Sequence, residues 1–310
     1  YGGEDRFWLG PEGGQLGLYF PRGAPFTFEA WQTPHALQEG AWDVVERGPS
    51  HVVFARAMTV SNRAGTTFTL QVRRRVALLS RAEAEKTLRL SAPVPSELGF
   101  VGFESRNTDT NTGASAWTRA TGAPSIWILA MYAPAVDARV VLPFETGGDA
   151  GGAPIVKDDY FGKVPPDRLR VREDEGHLTF VCDGKLRSKI GLGPARAKDV
   201  LGSYSREARL LTVVHYDKPA GPAAYVNSMW EEQADPFAGD VVNSYNDGPT
   251  GEGKPPLGGF YELETSSPAA ELAPGESIVH THRTFHFVGE PPALDPVATR
   301  ALGVPLARIR

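Results

Sequence analysis

Glycine and proline interrupt this chain so often that long helices have little room, and that punctuation constrains the fold more than any other feature. The 310 residues include 34 Gly and 26 Pro. Between them lie short runs rich in β-branched and aromatic side chains, the pattern of strands joined by turns. Such runs include His51 to Ala55, Thr66 to Val76, Ser125 to Tyr132, Ala138 to Leu142, His177 to Val181, Arg209 to His215, Gly259 to Thr265 and Ser277 to Val288. Several alternate with a period of two, which lets a strand bury one face and which a helix cannot use. The expected class is therefore mainly β: one large antiparallel β-sandwich over residues 1–310, with few short helices. A boundary near the Gly-rich segment Thr146 to Pro154 is the alternative. One helix is predicted near the C-terminus, with Asp295 as cap, Pro296 in the first turn and Gly303 as the stop.

Composition removes several function classes. Hydrophobic residues make up 41% and charged residues 22%, enough to bury a core without metal or disulfide staples. A net charge of −5 gives no reason to expect nucleic acid as a partner. The one basic cluster, Arg73 to Arg75, continues a strand-like run and reads as a solvated strand face. The single cysteine, Cys182, ends the strand-like run Leu178 to Val181 and reads as a packing residue. No apolar run approaches the ~20 residues of a membrane-spanning helix. The chain starts at Tyr1 rather than Met, and a removed secretion signal is one candidate explanation, which favours a periplasmic or secreted location but leaves the compartment undecided.

Five segments carry ionisable or polar residues that an ordinary surface strand does not require. The opening stretch to Gln15 sets Glu4, Asp5, Arg6 and Trp8 among several glycines, and acids, Arg and Trp are the groups that grip sugar hydroxyls and stack on sugar faces. A terminal hairpin pinned by an ion pair to Arg6 would explain the same residues. In Tyr261 to Thr265, alternation puts Glu262 and Glu264 on one face, about 7 Å apart, where two carboxyls can divide acid and base roles or form a solvent-facing stripe. In His280 to Phe287, His280, His282, Thr284 and His286 share one face while Phe285 and Phe287 point the other way. Such a row suits proton transfer or sugar binding at His280 and His282, a divalent metal such as zinc, or a structural polar ladder. Asn246 and Asp247 sit in a turn-like loop, Val242 to Pro249, that could touch a ligand or simply satisfy itself. The polar segment Glu104 to Gly113 reads as another loop. Nucleotide-binding, dehydrogenase, serine-hydrolase-elbow and zinc-protease motifs are all missing.

With those residues in view, the chain resembles an uncharacterised bacterial family of the galactose-mutarotase-like superfamily, related to the aldose 1-epimerases. The order Glu262-Leu263-Glu264, then Ser266-Ser267-Pro268-Ala269, then Leu272 to Glu276 with its Pro-Gly-Glu turn, then a His-bearing strand, is similar to the closing section of those enzymes. The resemblance implies a β-supersandwich, a saccharide ligand, and a glutamate base at Glu262 or Glu264. The epimerases' histidine motif has no equivalent here, so His280 and His282 are the candidates to take its place. Epimerase-like or lyase-like acid–base chemistry on a saccharide is the leading expectation. The alternatives are a noncatalytic carbohydrate-binding module and a metal-dependent sugar enzyme built on His280 and His282.

Overall fold

A computed structural model of the chain describes residues 3–147, 150 and 152–309. Three residues of the Thr146 to Pro154 segment, Gly148, Asp149 and Gly151, and the first two of the opening stretch lie outside that description. Two antiparallel sheets make up the molecule. The smaller runs, in order across the sheet, β1 (Arg6–Gly10), β6 (Ser125–Tyr132), β14 (Tyr261–Ser266), β13 (Val242–Asn246) and β10 (Ser188–Leu192). The larger has ten strands: β2 (Asp43–Arg47), β3 (His51–Ser61), β4 (Thr67–Leu79), β5 (Gly99–Asn111), β15 (Ser277–Val288), β12 (Leu210–Tyr216), β11 (Val200–Ser205), β7 (Arg139–Pro143), β9 (His177–Val181) and β8 (Leu169–Arg172). The mainly β, antiparallel class read from the alternation is the class observed.

Alternation decides what each face does. Along β14, Tyr261 and Leu263 turn inward and pack with Ile190, Leu192 and Val242 against Val140, Leu142, Leu178, Phe180 and Val214 of the large sheet. Complete burial of a side chain such as Leu263 contributes about 1.5–3 kcal/mol. Cys182 is fully buried in this same core, and burial pushes its thiol well above the usual range. The far face of the large sheet, carrying Phe285, Phe287, Leu211 and Val213, is covered by Leu294, Val297, Ala298 and Leu302 of the helix α3 (Pro291–Leu302).

Several sequence expectations need correction. The helix α3 begins at Pro291, not near Pro296: Pro291 and Pro292 occupy first-turn positions whose N–H groups have no helical partner anyway. Asp295 is no cap but accepts a hydrogen bond from the Leu306 N–H. Gly303 does close the helix, in the left-handed conformation. Val242 to Asn246 is not a loop but the interior strand β13, bonded on both sides, and Glu104 to Asn111 continues β5 between β4 and β15. Of the basic cluster, Arg73 is exposed, whereas Arg74 points between the sheets and pairs with Asp5 at 3.1 Å.

Candidate active site on the outer face of the small sheet

The face of the small sheet turned away from the core is lined with charge. Register places Arg6, Leu129, Glu264, Asn243 and Gly191 on one rung, and Met131, Glu262, Tyr245 and Lys189 on the next. Trp8 lies opposite Trp127 one rung further along. Because strand side chains alternate, the same β14 that buries Leu263 presents both glutamates here. Arg6 Nη2 donates to Glu262 Oε1 at 2.8 Å while its guanidinium lies 4.1 Å from the Trp8 ring centre. Lys189 Nζ and Trp127 Nε1 each donate to Glu264 Oε2 at 2.9 Å. The other oxygen of that carboxylate, Oε1, is buried and has no hydrogen-bond partner among the described residues, and neither has Arg6 Nε.

A roof of loops closes over this face. Trp31 Nε1 donates to Glu12 Oε1 at 2.9 Å, and the Glu12 N–H donates to Ser228 Oγ at 3.1 Å. Trp8, Tyr19 and Trp31 pack ring on ring, with Trp127 against Trp8 and Tyr19. At Gly13 the chains come so close that a Cβ would sit 2.3 Å from the Met229 carbonyl oxygen, so this glycine serves the approach of backbone to backbone. On the β10 side, Tyr160 donates its hydroxyl proton to Asp240 and accepts from Asn243 Nδ2. A cavity of about 520 Å3 lies beside this roof, lined by Tyr19, Gln32, His35 and Asn62 among others, and does not reach the glutamates.

The electrostatics leave one proton to spare. Three carboxyl groups, Glu12, Glu262 and Glu264, share two cations, Arg6 and Lys189, in a site where all three acids and the lysine are buried. Burial works to lower Lys189, but Glu264 and Glu12 outweigh it and hold the ammonium above its ordinary range. Burial raises Glu12, against the pull of Lys189. Glu262 is pushed up to about 8 by burial and by Glu264 beside it, with Arg6 pulling the other way. Arg6 bonds only Oε1 of that carboxyl, so Oε2 can carry a proton without breaking the contact.

The histidines lie elsewhere. The acid row and the His row do not come together, because β14 and β15 belong to different sheets. His280 Nε2 and His282 Nδ1 reach across the sandwich to the Thr265 hydroxyl, at 2.8 and 2.9 Å. Thr265 points inward for the reason Glu264 points outward, so the two rows stand on opposite faces of β14. One hydroxyl can donate to one ring and accept from the other, which suits two neutral imidazoles in complementary tautomers. Burial holds His280 down at about 3, helped by His282, and holds His282 at about 4. Among the described residues no group of three or more His, Cys, Asp or Glu side chains is arranged to hold a metal ion.

Glu4 and Asp5 also leave the glutamate face: Glu4 meets His286 at 2.9 Å, and Asp5 accepts from Ser105 and pairs with Arg74. Asn246 and Asp247 are fully buried. Asn246 ties down Gly184 and Leu186, and the Asp247 carboxylate accepts from the N–H groups of Leu257, Gly258 and Gly259. Of the expected site residues, then, the fold gathers Arg6, Trp8, Glu262 and Glu264. It adds Lys189, Glu12 and Trp127, which the sequence reading did not single out. The signal for Lys189 was present: it is the one charged residue in Ser188 to Leu192, a run that otherwise reads as a buried strand.

Two packed antiparallel sheets, the smaller with an ionisable, aromatic-roofed outer face, define a mainly β sandwich protein. The chain belongs to DUF6786, a family of unknown function, whose model matches residues 1–310. No curated protein sequence matches it. Several solved structures are similar over most of the chain. The chain is similar to the Slr1438 protein of Synechocystis sp. PCC 6803 (10% identity, 91% of this chain and 78% of that one, TM-score 0.49). It is also similar to an Escherichia coli K12 protein provisionally described as an aldose 1-epimerase (11% identity, 91% and 83%, TM-score 0.48). A third is a galactose mutarotase-like protein of Lactobacillus casei ATCC 334 (10% identity, 90% and 84%, TM-score 0.46). No helix among the described residues is long and apolar enough to cross a membrane.

Proposed function

We propose that this chain binds a saccharide on the outer face of the small sheet and moves protons at its anomeric centre. The observation that carries this is Glu264: one carboxylate oxygen is locked by Lys189 and Trp127, while the other is buried and has no partner among the described residues. A buried acceptor without a partner costs about 1–3 kcal/mol, and a sugar hydroxyl would satisfy it. Trp8 and Trp31 supply aromatic surface for the sugar's apolar face. In the reaction, Glu264 takes the proton of the anomeric hydroxyl, the carbon–oxygen double bond forms, and the bond from that carbon to the ring oxygen breaks. The ring oxygen receives a proton from Glu262, whose raised carboxyl is suited to hold one near neutral pH. Reclosure on either face returns both protons, so no water or cofactor is consumed.

The test is NMR exchange spectroscopy on a panel of aldoses with the wild-type protein and a Glu264→Gln variant. Catalysed anomeric exchange that falls by about 100-fold or more in the variant, with sugar binding kept, is the expected result for a general base. Exchange that survives the substitution removes Glu264 from the chemistry.

A further inference from the structure

Just beyond the glutamate rungs, at the N-terminal end of β10, stands a cation with no anion. Arg187 is half-buried, and among the described residues no carboxylate oxygen lies within 4 Å of its guanidinium. Its one side-chain hydrogen bond runs from Nε to the Tyr245 hydroxyl at 3.3 Å, which leaves both terminal nitrogens without a protein acceptor. Three half-buried rings hold the group in place: Phe161 at 3.6 Å, Trp230 at 5.1 Å and Phe28 at 5.2 Å from the guanidinium carbon. Such a cage fixes the plane of the guanidinium while its outer edge stays free, and that edge is the fork that bonds planar or tetrahedral oxyanions.

Its location ties it to the site. Arg187 precedes Lys189 by two residues on the same side of the sheet, a step of about 7 Å, and Lys189 shares a rung with Tyr245 and Glu262. Phe161 and Trp230 belong to the same roof: Phe161 packs edge-on against Tyr245 and Trp230, and Trp230 packs edge-on against Phe20. A hexose spans about the same distance, so a ring held at Glu264 and Glu262 places a substituent near Arg187. The other cations of this face, Arg6 and Lys189, are already matched to glutamates.

We infer that Arg187 docks an oxyanionic substituent, so that the saccharide taken by this site is an acidic one, carrying a carboxylate or a sulfate or phosphate ester. This rests on the saccharide reading of the Glu264 face, and the experiment separates the two. Calorimetric titration compares galacturonate, its neutral methyl ester, galactose and galactose 6-sulfate against wild type, Glu264→Gln, Arg187→Gln and Arg187→Lys, each checked for an unchanged thermal transition. Galacturonate or the sulfate should bind about tenfold or more tighter than the ester, the factor one charge-assisted contact supplies. Arg187→Gln should erase that preference and alter galactose binding less than about twofold, and Arg187→Lys should restore part of it. Preference for galacturonate over the sulfate identifies a carboxylate, and the reverse identifies an ester. Equal binding of acid and ester, or a preference that persists in Arg187→Gln, overturns this inference alone. Failure of every sugar to bind overturns it together with the saccharide reading.

Discussion

Acidification should undermine this protein through His280 and His282. Both rings are buried around the Thr265 hydroxyl, and their pKa values of about 3 and about 4 lie below the ordinary 6.5. In the unfolded chain they would titrate normally. Unfolded chains therefore bind more protons than folded ones between the two sets of values, so the histidine contribution is fully present above 6.5 and is lost as pH falls toward 4. Between pH near 7.5 and pH near 5 the loss is about 2 kcal/mol per ring, or about 4 for the pair. Raised acids such as Glu262 and Asp109 work in the opposite sense, so the contribution must be isolated by difference. A His280→Gln, His282→Asn variant keeps an amide where each bonded nitrogen stood and removes the titration. Urea unfolding followed by tryptophan fluorescence at both pH values should show the wild type losing about 4 kcal/mol more than the variant. Equal losses in the two proteins would refute the assignment of neutral, buried imidazoles.

Two further substitutions probe the site's construction. Lys189→Met strands the Glu264 carboxylate in a buried site and should cost about 3–5 kcal/mol, much of it recovered in a Lys189→Met, Glu264→Leu double variant; denaturant unfolding reads both, and a single variant as stable as wild type would show that the pair is not desolvated. Gly13→Ala drives a methyl group into the Met229 carbonyl and should lower stability by about 1–3 kcal/mol; an unchanged melting temperature would mean that the roof yields freely.

Faces were more legible in the sequence than partners. Period two separated Glu262 and Glu264 from Leu263, and the histidines from Phe285 and Phe287, because alternation is a property of one strand. It carries no information about which strands pair, and the acid row and the His row, close in sequence, belong to different sheets. The strand β5 was hidden for a related reason. Ser105, Asn107, Asp109 and Asn111 are its buried residues, so polarity there marks the inside and imitates a loop. The helix α2 (Arg81–Thr87) was passed over in the sequence although it carries a capping box, in which Ser80 and Glu83 bond each other's backbone N–H. Arg187 could be seen only once the rings around it were in place, since Phe28, Phe161 and Trp230 come from three separate segments.

The contact between Arg6 and Glu262 spans 256 positions of the chain. During synthesis β1 meets its strand partner β6 first, but Arg6 must wait until β14 has been made before its carboxylate exists. Closing contacts of that separation is slow in general, and the tryptophan-rich opening segment is exposed to wrong partners throughout the delay. The feature that completes the site is thus also the one that makes its assembly depend on a strand made long after the first.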